Sequence, residues 1–556
     1  MQTLSRDEGF QALQAGVDVL VIGGGITGAG VALDAASRGY RVGLVDRADF
    51  ASGTSSRSTK LVHGGIRYLP QGHIGLVREG LRERTRLLRL APHVVHPLPF
   101  IIPLYAGTKR PLGVRIPAPL RPLAPLGIRT GLSVYDWFAG RPDLRHRRLA
   151  RSELEAQCPD LYTEGLRAAL VYYDARTDDV RLTHAVLATA RMHGAVTVNH
   201  AEVRTLLRAG GAVAGARVED RLTGRSYDAP ARFVVNATGI WGERVAALDG
   251  MPPFRIRHSK GTHLVLRAGA IRASGALVIP ETDDGRLAFI VPWAGRPLVG
   301  TTDEPYEGDL ADPRATPGDV RYLLDHANRY LRRRLDPGDV TAAWSGIRPL
   351  VAAAAGGATA GLARDHVVSV SAGGLVSIVG GKLTSYRKMA EDAVDVVVRR
   401  EGTRRPCRTA DMRLAGAEAL HETQAALAVS RLGAEQQTHL FEAYGSRARE
   451  ILALIRADPA LASPLHPTAP AIGAEVVYAC RAEMAVSLSD VMFLRTRLGR
   501  IDAAAAAEAA PAVAALMAQE LRWEPAEVRR QREQFEAALE RERAWMTPAA
   551  TTAGGP

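Results

Sequence analysis

Residues 17–46 read VDVLVIGGGITGAGVALDAASRGYRVGLVD. Val17, Val19, Leu20, Val21 and Ile22 make a short apolar run, the pattern of a parallel strand buried on both faces. Gly23, Gly25 and Gly28 then give G-x-G-x-x-G, with Gly24 and Thr27 inside the motif. The first glycine permits a tight turn, the second lets a phosphate approach the backbone, and the third lets the next helix pack on the strand. A helix from about Ile26 to Arg38 offers its free N–H groups and positive dipole end to a pyrophosphate. Gly39 stops that helix. Arg41–Val45 reads as the next strand, and Asp46 at its end is placed to accept ribose hydroxyls. A lone glycine triplet also fits an ordinary turn. Strand, triplet, helix, second strand and terminal acid in this order predict a Rossmann-like α/β dinucleotide-binding domain.

Residues 54–69, TSSRSTKLVHGGIRYL, follow closely. They pack small hydroxyls, glycines and cations just beyond the dinucleotide grip. A simple nicotinamide-binding module has no need of them, so a substrate site beside the cofactor is expected. A second backbone approach to the dinucleotide is expected at Asn236-Ala237-Thr238-Gly239, which ends a strand. Gly380-Gly381-Lys382-Leu383-Thr384 ends another strand (Leu375–Val379) and opens a helix, whose dipole would stabilise negative charge.

The chain has 556 residues, too many for one hydrophobic core, so two or more domains are expected. Its hydrophobic fraction of 46% and charged fraction of 23% are those of a globular protein. Cys158, Cys407 and Cys480 form no disulfide framework, zinc or redox motif, which suits a reducing compartment and predicts no metal site. No secretory signal and no apolar run of membrane-spanning length is seen. The net charge of +12 favours an anionic contact. Aromatic stacking motifs and a clustered Lys/Arg helix of the recognised types are absent, so nucleic acid is not the expected partner.

No acid lies between Glu83 and Asp136, a span that carries Arg84, Arg86, Arg89, Lys109, Arg110, Arg115, Arg121, Arg129 and many prolines. The prolines rule out one long helix. The stretch from Pro97 to Phe138 reads as an irregular apolar, basic excursion suited to an anionic lipid surface. Asp179–Met192 has helical periodicity, Val196–Val198 reads as a strand, Val213–Val218 and Asp228–Val235 as a strand pair, and Arg255–Val299 as antiparallel sheet. Beyond Glu401–Arg408 the sequence is almost wholly helical. The run Ala503–Ala518, interrupted by Glu508 and Pro511, reads as a surface-packed helical pair. The resulting division is 17–404 for the cofactor and substrate domain (substrate sheet roughly 91–150 and 255–340), 405–546 for a helical C-terminal domain, and 547–556 for a disordered tail.

The ordered blocks resemble the FAD-dependent, quinone-linked respiratory glycerol-3-phosphate dehydrogenases of the D-amino-acid-oxidase-like flavoprotein superfamily. The resemblance is carried by Gly23–Gly28, Thr54–Leu69, Tyr135-Asp136, Tyr173-Asp174, Asp178–Leu182, Asn236–Gly239, Lys260–His263, Gly300–Asp303, Ser345–Leu350 and Gly380–Arg387, with Glu475–Leu498 in the C-terminal region. It spans almost the whole chain. Ile240 departs from the family, which usually has Pro after Asn-Ala-Thr-Gly. The resemblance implies an α/β (α+β overall) fold: a Rossmann-like FAD domain, an antiparallel-sheet substrate domain and a helical cap.

It further implies non-covalent FAD, held by Gly23, Gly24, Gly25, Thr27, Gly28, Asp46, Thr54, Ser55, Ser58, Lys60, His63, Gly64, Gly65, Val203, Ala237, Gly239, Gly381, Lys382, Leu383 and Thr384. Glycerol 3-phosphate would be clamped by Arg67, Tyr68, Arg348, Arg364 and Lys382, since Arg suits bidentate phosphate binding and Lys binds as a point charge. His263, Arg348 and Lys382 are the candidates for removing the hydroxyl proton. The implied reaction is oxidation at C2, with electrons passed to a membrane quinone by an enzyme on the inner face of the cytoplasmic membrane. Oxygen as acceptor, or amino-acid or amine oxidation, are the alternatives. A homodimer stays open.

Overall fold

The computed structural model of the chain describes residues 4–106, 108–353 and 366–546. The expected tail at 547–556 and Arg364 lie outside the described residues. The strand Val17–Ile22 sits at the centre of a parallel sheet, between Val42–Val45 and Ser226–Asn236. Val196–Val198 and Val376–Gly380 extend the sheet on either side, again parallel. Alternate side chains of the central strand serve two layers. Val19 and Val21 face the helices Ile26–Ser37, Asp179–Met192 and Tyr386–Glu401. Leu20 and Ile22 face the helix Arg6–Gln14 and the hairpin Ala201–Ala209/Ala212–Asp220. Coverage of both faces is why the run is apolar throughout; each such side chain contributes about 1.5–3 kcal/mol by burial.

A ten-stranded, mostly antiparallel sheet stands beside it. Its long strands Phe254–Leu266 and Val340–Ala353 pair so that Lys260 lies opposite Ile347, Ser259 opposite Arg348 and His263 opposite Trp344. That register carries the candidate substrate residues to one region.

Two sequence expectations are corrected. The stretch from Pro97 to Phe138 is not irregular. Val95–Tyr105 is an eleven-residue strand inside the second sheet, and Ala124–Ala139 is a sixteen-residue helix. Pro97, Pro99 and Pro103 are spaced by two and four residues, so their missing N–H groups share one strand edge. The strand pairs with Leu166–Thr177 along its whole length. Pro125 falls in the first turn of the helix, where no N–H partner is lost. The alanine run is likewise one helix, Ala503–Leu521, passing through Pro511. Pro511 is on the exposed side, while Ala506, Ala510, Val513 and Ala514 pack inward. The close-packed alanine face holds the helix together across the lost hydrogen bond.

The helical C-terminal region is fastened to the first sheet through buried ion pairs. Arg495 reaches Asp49 at 2.6 Å, and Arg181 grips Glu483 at 2.7 and 3.0 Å while donating to Ala443 O. Burial pushes the Glu483 carboxyl up, but the Arg181 guanidinium outweighs it and holds the group well below the usual carboxylate range. Its contribution to stability is therefore full above the ordinary Glu value and lost as pH falls through the folded one. Glu483→Gln is expected to lower unfolding stability at pH 7 by about 3–5 kcal/mol, because Arg181 is left buried without its counter-charge. Urea unfolding should also show a shallower acid-side loss for the variant than for the parent. Equal midpoints at pH 7 contradict the assignment.

Candidate active site and cofactor cavity

A cavity of about 540 Å³ opens at the C-terminal ends of the parallel strands. It is lined by Gly23, Gly25 and Thr27 of the glycine turn, by Asp46, Thr54, Ser55 and Val203, by Ala237 and Gly239, and by Gly381, Lys382 and Leu383. Segments far apart in sequence thus meet on one elongated trough. Gly25 caps the helix Ile26–Ser37 without a side chain, and Ile26 N donates to Ser55 Oγ at 2.9 Å. Gly28 is not in the lining. A Cβ there would lie 1.8 Å from Gly23 O, so this glycine permits turn and helix to touch. Gly24 is also off the lining; its amide donates to Asp46 Oδ2 at 2.6 Å, and Ala48 N donates to Oδ1 at 2.9 Å. Burial raises the Asp46 carboxyl to about 6 against the pull of these two amides. Strand ends, a glycine turn and a terminal acid around one long trough fit a dinucleotide.

Ser58, Lys60, His63, Gly64, Gly65 and Thr384 do not line this cavity. Ser58 gives both its amide and hydroxyl to Asp179 Oδ2, at 3.1 and 2.7 Å. Lys60 is buried: its ammonium donates to Asp179 Oδ1 at 2.6 Å and Ser56 O at 2.7 Å, and lies over the rings of Trp293 and Trp344. It braces the segment. His63 N donates to Thr384 Oγ1, and Gly64 N to Asp174 Oδ1. Asp174 also takes Arg84 and Tyr135, each at 2.8 Å. These two acids, Asp174 and Asp179, were legible only as members of quoted blocks, with no role assigned.

Beside the cavity, cations gather around Tyr68. The Arg67 guanidinium stands 4.9 Å from its ring centroid and donates to Tyr68 Oη at 2.9 Å, while Lys382 Nζ lies 4.2 Å from the same centroid. Gly65, at φ +80°, leaves room there, and a Cβ would meet the Tyr68 ring at 2.6 Å. Arg348 donates to Asp303 Oδ1 and Thr301 Oγ1, both at 3.1 Å. Burial lowers the Arg348 pKa; Asp303 opposes that, and Arg67 adds to it. Lys382 belongs to both places, the cavity wall and the cation cluster. His63 nearby is held neutral: burial first, then Lys382 and Arg67, push it down to about 3.

His263 is 2% exposed, stacked on Trp344, and its Nε2 is 2.9 Å from Thr59 Oγ1. Its Nδ1 has no partner among the described residues. Burial, then Arg348 and Lys60, press its pKa well below the ordinary value, so the ring is neutral and holds a proton poorly. Asp49, His200 and Asp490 bring ligand-type atoms within 4.8 Å of one another. Asp49 is committed to Arg495 and Asn199, and Asp490 accepts the amides of Val486 and Ser487, so the group is an ion-pair network. Arg57 and the C-terminal residues Asp490, Phe493 and Arg500 also line the cavity, and sequence reasoning named none of them. Arg57 stood inside the quoted 54–69 segment, and Asp490 and Phe493 inside the Glu475–Leu498 block, with no role assigned; Arg500 lay outside the quoted blocks.

Comparisons with known proteins agree with this geometry. Residues 18–387 match the family of FAD dependent oxidoreductases, and residues 407–528 match the C-terminal domain of alpha-glycerophosphate oxidase. A probable mitochondrial glycerol-3-phosphate dehydrogenase of Caenorhabditis elegans is 38% identical, over 98% of this chain and 75% of the relative. Glycerol-3-phosphate dehydrogenase 2 of Mycobacterium bovis is 38% identical, over 94% and 88%. The solved glycerol-3-phosphate dehydrogenase of Bacillus halodurans, complexed with FAD, superposes with a TM-score of 0.79 at 31% identity, covering 98% of this chain and 99% of that one. With a dinucleotide trough, a cation cluster at its end and relatedness along nearly its whole length, the chain belongs to the FAD-dependent glycerol-3-phosphate dehydrogenases.

Proposed function

We propose that the protein oxidises sn-glycerol 3-phosphate at C2 to dihydroxyacetone phosphate and passes the electrons to a membrane quinone. The observation that carries this reading is the convergence of Arg67, Lys382 and Arg348 near Tyr68, with Lys382 also on the cofactor cavity. Arg348 is half-buried and paired with Asp303, and the like charges gathered beside it favour a further anion; a substrate phosphate carries about two negative charges near neutral pH. FAD, when bound, supplies the hydride acceptor and the two-electron store. Gly25, Thr27 and the N-terminal end of the Ile26–Ser37 helix would hold the cofactor diphosphate, Asp46 the ribose and Val203 the adenine end. Gly381, Leu383 and Thr384 support the flavin end.

Arg67 and Arg348 orient the phosphate, and Lys382 reaches between substrate and flavin. Positioning of this kind supplies much of a barrier reduction. His263 is the proposed acceptor for the C2 hydroxyl proton. In the tautomer whose Nε2–H donates to Thr59 Oγ1, the buried and unpartnered Nδ1 carries the lone pair. The depressed pKa keeps the ring in the neutral form that can accept a proton, and Arg348 beside it stabilises a developing alkoxide, which lightens the demand on so weak a base.

Attachment to an anionic lipid surface, on the inner face of the cytoplasmic membrane, is supported by one groove. Arg78, Arg82, Arg86, Arg89 and Arg141 line it with Trp137. Leu126 and Trp137 of the neighbouring helix are 63% and 77% exposed. Arg78 and Arg82 pair with no carboxylate among the described residues, leaving charge for head groups. No described helix is long and apolar enough to cross a membrane.

Anaerobic glycerol 3-phosphate should bleach the flavin spectrum while unphosphorylated glycerol does not, and a quinone analogue should restore colour faster than oxygen. Arg348→Ala should keep its FAD and lose about a hundredfold or more in kcat/KM for glycerol 3-phosphate. Unchanged turnover removes the phosphate clamp, and faster recovery with oxygen removes the quinone. For the surface, Leu126→Glu with Trp137→Glu should weaken binding to phosphatidylglycerol vesicles about tenfold while oxidation with a soluble dye is unaffected. Undiminished vesicle binding places the lipid contact elsewhere.

A further inference from the structure

The cofactor cavity has a wall that neither the glycine turn nor the antiparallel sheet provides. Asp490, Phe493 and Arg500 belong to the C-terminal region, yet they line the same trough as Gly23 and Asp46. Asp490 stands at the Asp46 end, paired with His200 at 3.1 Å. Arg500 stands with Arg57, which directly follows the Thr54–Ser56 turn. That turn contains Ser55, the hydroxyl bonded to Ile26 N at the head of the dinucleotide helix. Arg57 and Arg500 therefore reach the wall of the trough from two different parts of the chain.

The charges there do not balance. Glu542 is shared between the two guanidiniums, at 3.4 Å from Arg57 and 2.6 Å from Arg500. The side chains of Arg57 and Arg500 are only 11% and 7% exposed. The nearest further acid acting on Arg57, Asp312, is bonded to Arg314 and Arg541. Two buried cations thus share one carboxylate. Arg500 Nε has no partner among the described residues, and the Arg500 guanidinium lies 5.1 Å from the Phe493 ring centroid. Burial, then the proximity of Arg500, push the Arg57 pKa down to about 10. A surplus buried guanidinium is costly unless an anion faces it. The planar fork of Arg suits the adjacent oxygens of a diphosphate.

We propose that Arg500 and Arg57 form a clamp on the diphosphate of FAD, so that the C-terminal region retains the cofactor. In that arrangement the diphosphate relieves the repulsion between the two arginines. Release of FAD then requires Arg500 to part from the trough, along with the Asp490–His200 pair at its other end. The C-terminal region is in this sense a latch on the cofactor, whichever substrate and acceptor the enzyme uses.

The test is the rate at which the holoenzyme, transferred into flavin-free buffer, releases fluorescent FAD. Arg500→Ala is expected to release it about tenfold faster or more than the parent, the effect of losing a charge-assisted hydrogen bond. Arg500→Lys, which restores the cation, should recover most of the retention. Arg481→Ala, which breaks an exposed ion pair with Glu520 in the same region, should release FAD at the parent rate. Release from Arg500→Ala at the parent rate overturns the clamp, and so does equal acceleration by Arg481→Ala, which signals general loosening. If Arg500→Ala does not fold, Arg500→Gln, which keeps a long side chain over Phe493, is judged on the same terms.

Discussion

The buried carboxylate of Asp179 is the constraint on which the rest of the site depends. It accepts from Ser58 N, Ser58 Oγ and Lys60 Nζ, and it starts the helix Asp179–Met192 that packs under the central sheet. One side chain therefore ties the segment after the dinucleotide grip to the cofactor sheet. Burial pushes this carboxyl up, Lys60 pulls it down, and Asp178 beside it adds to the rise. Fully hydrogen-bonded, the group specifies a single arrangement; partly bonded, it would be a liability.

From that anchor the chain reaches Gly64, held by Asp174, and then Arg67 and Tyr68. The opposite side is set by Thr384, whose hydroxyl meets the backbone of His63. The two ends of the flavin and substrate region, sequence neighbours of neither each other nor the glycine turn, are thus stitched by short polar contacts. The second sheet adds Arg348 and His263 by strand register, since Ser259 opposite Arg348 determines the pairs that follow as far as Val265. The chemistry gathers where the two sheets meet, the ordinary place for a site in an open α/β architecture.

Much of the first domain was legible in the residues because its signals are local. The apolar run at Val17–Ile22, the glycine triplet and Asp46 lie within one strand–helix–strand unit, and helix Asp179–Met192 and strand Val196–Val198 fall where periodicity placed them. Local rules failed where tertiary context overrode them. The many prolines argued against regular structure between residues 97 and 138, yet the even-numbered spacing of Pro97, Pro99 and Pro103 lets a strand keep one bonding edge. Pro511 argued for a break in the alanine run, yet a close-packed alanine face carries the helix through.

The amino-acid sequence by itself determined that a dinucleotide is gripped, and which residue types surround the grip, because turn geometry, helix dipole and charge are properties of contiguous residues. Which cations face the site and which are spent inside the protein was decided only by the tertiary structure. Lys60 looked like a cofactor ligand and is instead consumed by Asp179, 119 residues away. Arg500, which no motif singles out, lines the cofactor cavity beside Arg57. Asp49 and Arg495, separated by 446 residues, hold the C-terminal region against that cavity. A charge acts according to what it is buried against, and burial is set by the packing of distant elements rather than by neighbours in the chain.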